Sequence, residues 1–301
     1  MRPANNAALA WGQLFRLSLC PTALADILAG SALAAAATGE LELEPLLFCS
    51  TLGIYHGSMA LNDWADQKED ARDRPHRPLP SAEITSRAAL TAACGMILAG
   101  VSCAFFLNPA LGVWMLGIAT LAVGYNIWLR GPWSGPISLG ACRAMHISAP
   151  AVLFATPLIE TTSVIALGYG LYVFTLSRLA RLETLDSSEL KQAPSFYLMG
   201  CAAIFLATSV NISGEASLAP RLAATLLSLG AAVALTRRAW PLEPWTAERV
   251  QGSVGLSLRL LLLFTASATL STGSESAWIP AALILTGYPL AHALRKAIPP
   301  T

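Results

Sequence analysis

Long apolar segments alternate with short polar ones along almost the whole chain, a pattern that indicates many membrane spans. A helix needs about 20 apolar residues to cross the hydrocarbon core of a bilayer. We predict transmembrane helices at 14–37, 45–64, 84–107, 110–129, 137–158, 161–180, 194–212, 218–236, 252–271 and 277–294. Because the connections are short, we expect one integral-membrane domain over residues 1–301, an all-α bundle of nine to ten helices.

Composition supports this prediction and narrows the function. Of the 301 residues, 54% are apolar and 12% are charged, and the mean hydropathy is +0.56. Soluble domains carry about 25% charged residues, so this chain is not a soluble enzyme, a nucleic-acid-binding protein or a disordered protein. The net charge of +1 gives no general attraction to polyanions, and we expect the bilayer, not nucleic acid, as the partner.

The basic residues predict the orientation of the bundle. One side of the predicted membrane holds a single arginine, Arg221, beside six glutamates. Cytoplasmic loops are enriched in lysine and arginine, so we assign both termini to the cytoplasm and expect a location in the bacterial inner membrane. The basic residues on the predicted cytoplasmic side are Arg2, Arg16, Lys68, Arg72, Arg74, Arg77, Arg87, Arg130, Arg178, Arg181, Lys191, Arg237, Arg238, Arg249, Arg295 and Lys296.

A cluster of acidic residues ends the second predicted span and is the strongest chemical signal in the chain. In a helix, Asn62, Asp66 and Asp70 are four residues apart and line one face, which Asp63 borders. Carboxylates packed this closely repel one another unless a cation lies between them. Mg²⁺ is typically held by one or two carboxylates together with substrate phosphates. The cluster therefore predicts a Mg²⁺ site with Asn62, Asp63, Asp66 and Asp70 as ligands and a diphosphate as the bound substrate.

The segment that follows supplies positive charge. Arg72, Arg74 and Arg77 come directly after the acidic cluster, and guanidinium groups bind phosphate through paired hydrogen bonds. We therefore treat residues 62–80 as an aspartate-rich motif and loop in which Arg72, Arg74 and Arg77 are predicted to bind the diphosphate. Ser81 is the predicted N-cap of the third long helix, with Glu83 in its first turn. The alternative is a solvated juxtamembrane loop with ordinary charge pairs.

The order of these residues resembles the first aspartate-rich motif, N-D-x-x-D-x-x-x-D, of the UbiA prenyltransferase superfamily. Phe15-Arg16-Leu17 with Pro21 and Gly30, Tyr125-Asn126, and Gly140-x-x-Arg143 also match family motifs. The resemblance covers about residues 12–190. It implies a helical bundle around a cytoplasm-open cavity, with Mg²⁺ as cofactor and a prenyl diphosphate plus an aromatic or other small acceptor as partners. It also implies catalytic roles for Asp66 and Asp70, and a Mg²⁺-diphosphate site at Asn62, Asp63, Asp66 and Asp70.

Several polar residues lie inside the predicted spans, where they are costly and usually functional. Asp26, His56, Asn126, Arg143 and His146 are all expected to face the same cytoplasm-open cavity. Asn126 is a candidate diphosphate-binding residue. Arg143 is a candidate catalytic residue that contacts the diphosphate, or else a partner of Asp26 or of a motif carboxylate. The alternative for the whole set is hydrogen bonding between helices.

The sequence departs from the family pattern in residues 175–191, where a second acidic motif is expected. Glu183 and Asp186 keep an acidic spacing of three, but Arg178 and Arg181 add the opposite charge. With fewer acceptors, this end is less suited to a second Mg²⁺, and these four residues are predicted to bind phosphate oxygens directly. The replacement resembles the divergent EboC-like branch of the superfamily.

Two functions from different classes remain open on the sequence. The first is an intramembrane prenyltransferase that alkylates a small acceptor in a Mg²⁺-dependent reaction. The second is a non-catalytic membrane protein that binds or transports a lipid-linked or small aromatic metabolite, which the weakened second motif favours. Release of diphosphate distinguishes them.

Overall fold

A computed structural model describes residues 7–156, 160–185, 190–209, 217–240 and 244–299. This part of the chain is helical and contains no β-strand. In chain order, the α-helices are α1 (Ala7–Leu14), α2 (Cys20–Thr38), α3 (Pro45–Ala65), α4 (Gln67–Asp73), α5 (Ser86–Leu107), α6 (Pro109–Ile127), α7 (Ser134–Leu153), α8 (Glu160–Ala180), α9 (Ala193–Ser209), α10 (Leu218–Ala239), α11 (Ala247–Ser271) and α12 (Trp278–Ala297).

The long helices confirm the all-α membrane prediction. Each predicted span overlaps one helix from α2 to α12, with the short α4 outside the spans. Seven candidate spans among the described residues are long and apolar enough to cross a membrane. Of the remaining three helices, α3 and α7 carry the polar residues of the candidate sites and α9 has only 17 residues. Residues 157–158 and 210–212 of the predicted spans lie outside the described residues.

Two predicted helix starts were wrong. The first span does not begin at residue 14, because Arg16 adopts a left-handed backbone with φ of 50° and α2 starts only at Cys20, with a proline at its second residue. The N-cap before α5 is Thr85, whose Oγ1 accepts a hydrogen bond from the Ala88 N–H at 3.3 Å. Ser81 instead donates to the Pro78 carbonyl oxygen at 3.4 Å, because the proline-rich segment folds into turns before the helix begins.

The helices belong to two compact units. The first comprises the described residues up to Leu24, Glu44–Trp128, and those from Gly287 onwards. In it, α3 packs against α5 and α6. A Cβ atom on Gly53 would lie 2.7 Å from the Met96 carbonyl oxygen, and one on Gly100 would lie 2.6 Å from the Ser50 carbonyl oxygen. These glycines therefore let α3 and α5 approach with their backbones in contact.

The second unit comprises Ala25–Leu43 and the described part of Leu129–Thr286. Its core includes fully buried aromatic side chains from α8, α9 and α11, with Phe205 and Phe264 ring centroids 5.1 Å apart. A Cβ atom on Gly30 would lie 2.2 Å from the Ile147 carbonyl oxygen, so this glycine allows α2 to pack closely on α7. The single-domain organisation remains a prediction.

Candidate diphosphate and magnesium site

The aspartate-rich motif crosses the junction between α3 and α4. Asp66 lies at this junction, outside both helices, with φ of −87° and ψ of 0°. Its N–H donates to the Asn62 carbonyl oxygen at 2.9 Å, and the Asp70 N–H donates to the Asp66 carbonyl oxygen at 2.9 Å. These bonds keep helical spacing through the junction, so Asn62, Asp66 and Asp70 stay on adjacent turns, as the motif predicted.

Two arginines hold the buried carboxylates of the motif. Arg16 Nη2 donates to Asp63 Oδ1 at 2.7 Å and to Asn62 Oδ1 at 3.2 Å. Arg77 Nη1 donates to Asp70 Oδ2 at 2.7 Å and lies 3.5 Å from Asp63 Oδ1. Asp63, Asp70 and Arg77 are all buried. One guanidinium therefore reaches two carboxylates, which shows that Asp63 and Asp70 converge although they belong to different helices.

Arg16 was missing from the predicted site residues. Sequence reasoning used it only as a charge and as part of the Phe15-Arg16-Leu17 match. The turn between α1 and α2 brings it to the motif, and His56 supports that turn by donating from Nδ1 to the Phe15 carbonyl oxygen at 2.7 Å. The signal that could have identified it was its place in the Phe15-Arg16-Leu17 match to the family motifs.

Asn126 also joins the motif, as predicted. Its Oδ1 accepts a hydrogen bond from Asn62 Nδ2 at 3.2 Å, and its own Nδ2 donates to the Ser58 carbonyl oxygen at 3.0 Å. Asn126 is buried at the end of α6. The two amides therefore fix each other, and the orientation of the Asn62 side chain is set by α6.

The other two predicted arginines lie outside this buried group. Arg74 is exposed, with Nη1 3.7 Å from Asp70 Oδ1. Arg72, near the end of α4, is also exposed. At 3.7 Å, with Arg74 largely in solvent, this pair is weaker than the contact of Asp70 with the buried Arg77 at 2.7 Å. These side chains could reach an incoming anion, but the folded chain does not need them to order the motif.

The donor set of the motif fits a Mg²⁺ ion held together with substrate. Asn62, Asp63, Asp66 and Asp70 offer oxygen atoms, which hard divalent cations prefer. In the structure, the guanidinium of Arg77 supplies the positive charge between Asp63 and Asp70. Among the described residues, no group of three or more His, Cys, Asp or Glu side chains could hold a metal ion. A Mg²⁺ site that uses Asn62, Asp63, Asp66 and Asp70 together therefore stays a prediction, and one or two of these carboxylates with phosphate oxygens would be the donor set that Mg²⁺ prefers.

A second buried polar cluster lies in the second unit and is centred on Asp26. Arg143 Nη1 donates to Asp26 Oδ2 at 2.6 Å, and His146 Nδ1 lies 3.2 Å from the same oxygen. The Tyr169 hydroxyl donates to Asp26 Oδ1 at 2.7 Å. The Asp26 side chain is 0% exposed and that of Arg143 is 14% exposed. Of the partners left open for Arg143, the structure therefore shows Asp26.

The arginines of the degenerate second motif contact the loop that precedes α7. Arg178 donates from Nη1 to the Pro132 carbonyl oxygen and from Nε to the Tyr197 hydroxyl, and its guanidinium lies 4.1 Å from the centre of the Trp133 ring. Arg181 donates to the Arg130 carbonyl oxygen. These contacts hold the loop against the end of α8. Phosphate binding by Arg178, Arg181 and Glu183 stays a prediction, and Asp186 lies outside the described residues.

The predicted cavity residues are thus divided between the two units. His56 and Asn126 lie with the aspartate-rich motif, whereas Asp26, Arg143 and His146 form the second cluster. That both groups face one cavity stays a prediction.

The family model described as the UbiA prenyltransferase family matches residues 23–248. The chain belongs to this family. The family prediction made from the aspartate-rich motif is therefore confirmed. The match includes the motif, the Asp26 cluster and the degenerate second motif.

Named relatives and a solved structure agree with this assignment. The chain is 28% identical to a digeranylgeranylglyceryl phosphate synthase of Methanothrix thermoacetophila, over 60% of this chain and 65% of the relative. It is 29% identical to the bacteriochlorophyll synthase 33 kDa chain of Rhodobacter capsulatus, over 52% of this chain and 55% of the relative. The chain thus spans less than two thirds of the length of these relatives.

The fold is similar to that of a UbiA homolog from Archaeoglobus fulgidus, whose structure was solved bound to GPP and Mg²⁺. The TM-score is 0.55 at 14% sequence identity, over 88% of this chain and 100% of that one. This similarity confirms the predicted UbiA-type helical fold.

Proposed function

We propose that this protein is an intramembrane prenyltransferase that transfers an isoprenyl group from a prenyl diphosphate to an aromatic or other small acceptor in a Mg²⁺-dependent reaction. The observation that carries the proposal is the convergence of Asp63 and Asp70 on Arg77, with Arg16 on the other side of Asp63. The GPP and Mg²⁺ of the structural neighbour, and the synthase names of the relatives, support it.

The motif residues can bind a diphosphate and stabilise it as it leaves. Asn62, Asp63, Asp66 and Asp70 would hold Mg²⁺, which would supply positive charge to stabilise the diphosphate as it leaves. Arg16 and Arg77 lie beside these carboxylates, so their guanidinium groups are next to the expected position of the diphosphate. Preorganised donors at the point where negative charge develops are an effective form of catalysis.

The Asp26 cluster supports the same reaction by orienting Arg143. A buried arginine needs a partner of opposite charge, and Asp26 is such a partner, 2.6 Å from Arg143 Nη1. We propose that Arg143, held in this way, lines the path of the isoprenyl diphosphate. Departure of the diphosphate leaves an allylic cation, which forms a bond to the nucleophilic atom of the acceptor, and a proton then leaves the acceptor.

One observation favours the second candidate, a non-catalytic binding or transport protein. Arg178 and Arg181, at the place of the second acidic motif, donate to backbone carbonyls of the preceding loop. These contacts stabilise the loop that precedes α7, and neither arginine can be a metal ligand. A protein with a single anion-binding motif can bind a lipid-linked metabolite without reacting with it.

Transfer of radiolabelled isoprenyl from geranylgeranyl diphosphate tests the proposal. The full chain in detergent is incubated with Mg²⁺ and a panel of acceptors that includes an aromatic acid and a glyceryl phosphate. We expect Mg²⁺-dependent product and diphosphate, and loss of both in Asp66→Asn. The matched control is Asp73→Asn, an exposed carboxylate at the end of α4 outside the motif, which should keep activity. Binding without any diphosphate release would favour the non-catalytic candidate.

A further inference from the structure

The middle of α11 carries an arginine that no step of the proposed transfer reaction uses. Arg259 lies midway along the 25 residues of α11, so its backbone is about 18 Å from either end of the helix. Its side chain is exposed, and within the described part of the chain it makes no ion pair or hydrogen bond. A charged side chain at this depth in a membrane is costly and usually functional.

Arg259 belongs to a side of α11 that is polar from the start of the helix to the arginine itself. Four residues follow one another at intervals of three or four and therefore share this side: Glu248, Gly252, Gly255 and Arg259. The structure describes every residue of α11, and the exposed ones are Ala247, Glu248, Gln251, Gly252 and Arg259. We call the side formed by Glu248, Gln251, Gly252, Gly255 and Arg259 the α11 polar face.

The composition of the α11 polar face argues against contact with lipid. Neighbouring long helices expose large apolar side chains, as α10 does at Leu226 and α12 does at Ile279, each 68% exposed. None of the exposed residues of α11 is a large apolar residue. Charged residues in membrane-spanning helices almost always face the protein interior or a water-filled cavity. The α11 polar face therefore lines a space that water or a polar ligand can enter.

That space is open up to Arg259 and closed beyond it. A Cβ atom on Gly255, one turn before Arg259, would meet nothing within 4 Å. The first three residues of the α11 polar face also line an open groove of about 480 Å³ at the N-terminal end of the helix. Leu262 and Ala266, on the same side after the arginine, are 2% and 0% exposed. Arg259 therefore lies at the inner end of the open face.

A ligand of Arg259 must bring its own negative charge to this depth. Glu248 lies about 16 Å away along the helix axis, too far for an ion pair. Phospholipid headgroups lie outside a hydrocarbon core about 30 Å thick, so they are about 15 Å from its middle. The proposed partners of the diphosphate are Arg16 and Arg77, beside the aspartate-rich motif. The remaining substrate of the proposed reaction is the acceptor.

We propose that Arg259 pairs with a carboxylate or phosphate group of the acceptor and thereby selects acidic acceptors for prenyl transfer. This inference rests on the proposed function. A guanidinium recognises both anions through paired hydrogen bonds. An acceptor that enters along the α11 polar face reaches Arg259 from the N-terminal end of the helix, which the charge pattern of the sequence assigns to the cytoplasmic side. Arg259 binds and orients the acceptor, and its role is to determine specificity.

Binding of matched acidic and neutral ligands tests the proposal without turnover. The full chain in detergent is titrated calorimetrically with 4-hydroxybenzoate and 4-hydroxybenzamide, and with phenyl phosphate and phenol. We expect the acid of at least one pair to bind at least about tenfold more tightly than its neutral counterpart, and Arg259→Gln to abolish this preference, as for a lost charge-assisted contact. Arg259→Lys should keep part of it. The matched control is Arg237→Gln, which removes the same charge from an exposed position on α10 and should bind as the wild type does.

A second variant tests whether the ligand uses the open face. Gly255→Leu keeps Arg259 but extends a side chain into the open space, so we expect normal unfolding and loss of acid binding. Unchanged acid binding in Gly255→Leu would overturn the proposal, as would equal losses in the Arg237 and Arg259 variants or no preference for the acids in the wild type. Competition by phosphatidylglycerol would assign the site to a lipid headgroup and also overturn it.

Transfer kinetics distinguish this inference from the proposed function. With geranylgeranyl diphosphate as donor, Arg259→Gln should raise the KM for an acidic acceptor about tenfold and leave the KM for the donor unchanged. A raised donor KM with an unchanged acceptor KM would overturn the inference. Absence of transfer in the wild type, together with acid binding that depends on Arg259, would contradict the proposed function but support an acid-binding site at Arg259.

Discussion

Arg16 shows how a single residue completes the aspartate-rich motif at a conformational cost. Its left-handed backbone costs a non-glycine residue about 1–2 kcal/mol, yet this conformation brings the guanidinium within 2.7 Å of Asp63. Strained residues concentrate where function requires a fixed geometry. Sequence reasoning predicted the acidic half of this contact but not the basic half, because the backbone conformation of Arg16 is not encoded in residue spacing.

Substitution of Arg16 distinguishes the role of its guanidinium from the role of its left-handed backbone in the turn. Arg16→Gly adopts the left-handed backbone without strain, so the motif keeps its turn and loses only the guanidinium. We expect the KM for the prenyl diphosphate to rise about tenfold, as for loss of a charged hydrogen bond, and Arg16→Lys to recover part of the loss. Steady-state kinetics with purified protein measures both. An unchanged KM in Arg16→Gly would show that Arg16 has only a structural role.

Asp26 is the residue on which the second cluster depends. Asp26→Asn removes the buried carboxylate that pairs with the Arg143 charge, and we expect a loss of about 3–5 kcal/mol in the free energy of unfolding. Tyr169→Phe removes one hydrogen bond to the same carboxylate and should cost about 1.5–3 kcal/mol. Denaturant unfolding in detergent compares the two. A smaller effect for Asp26→Asn than for Tyr169→Phe would contradict a charge-pair role.

At the scale of helices, the close packing of α3 on α5 places the motif, and glycine makes that packing possible. In Gly53→Ala the new Cβ atom would lie 2.7 Å from the Met96 carbonyl oxygen, so the helices must separate. We expect destabilisation of about 1–3 kcal/mol, as for an overpacked core. The matched control is Gly95→Ala on α5, where a Cβ atom meets nothing within 4 Å, and where alanine should stabilise the helix by about 0.5–1 kcal/mol. Equal unfolding free energies for the two variants would contradict this packing.

Hydropathy predicted the positions of the long helices more accurately than it predicted where those helices begin and end. The apolar segments located the long helices because membrane length and apolar content are local properties of the chain. The start of the first span was misplaced, since the left-handed Arg16 breaks an otherwise apolar run. The contacts of Arg178 and Arg181 with residues 130–133 could not be predicted, because their acceptors are backbone carbonyls about 50 residues away in sequence.

For the molecule as a whole, the sequence predicted the site where its residues are close in the chain. Asn62, Asp66 and Asp70 are four residues apart and Asp63 borders their face, so their proximity was visible in the spacing. The Asp26 cluster joins residues 117 and 143 positions apart, and only the folded helices reveal these pairings. The family match over residues 23–248 covers both the local motif and the residues that form the distant pairs.

The central claim is that the end of α3 binds a prenyl diphosphate through Mg²⁺ at the aspartate-rich motif. Equilibrium binding of a non-reactive geranylgeranyl diphosphate analogue to the full chain, with and without Mg²⁺, tests it most directly. We predict binding that requires Mg²⁺, that weakens at least about tenfold in Asp66→Asn as for a lost charged contact, and that is unchanged in Asp73→Asn. Equally tight binding without Mg²⁺, or in Asp66→Asn, would contradict the claim.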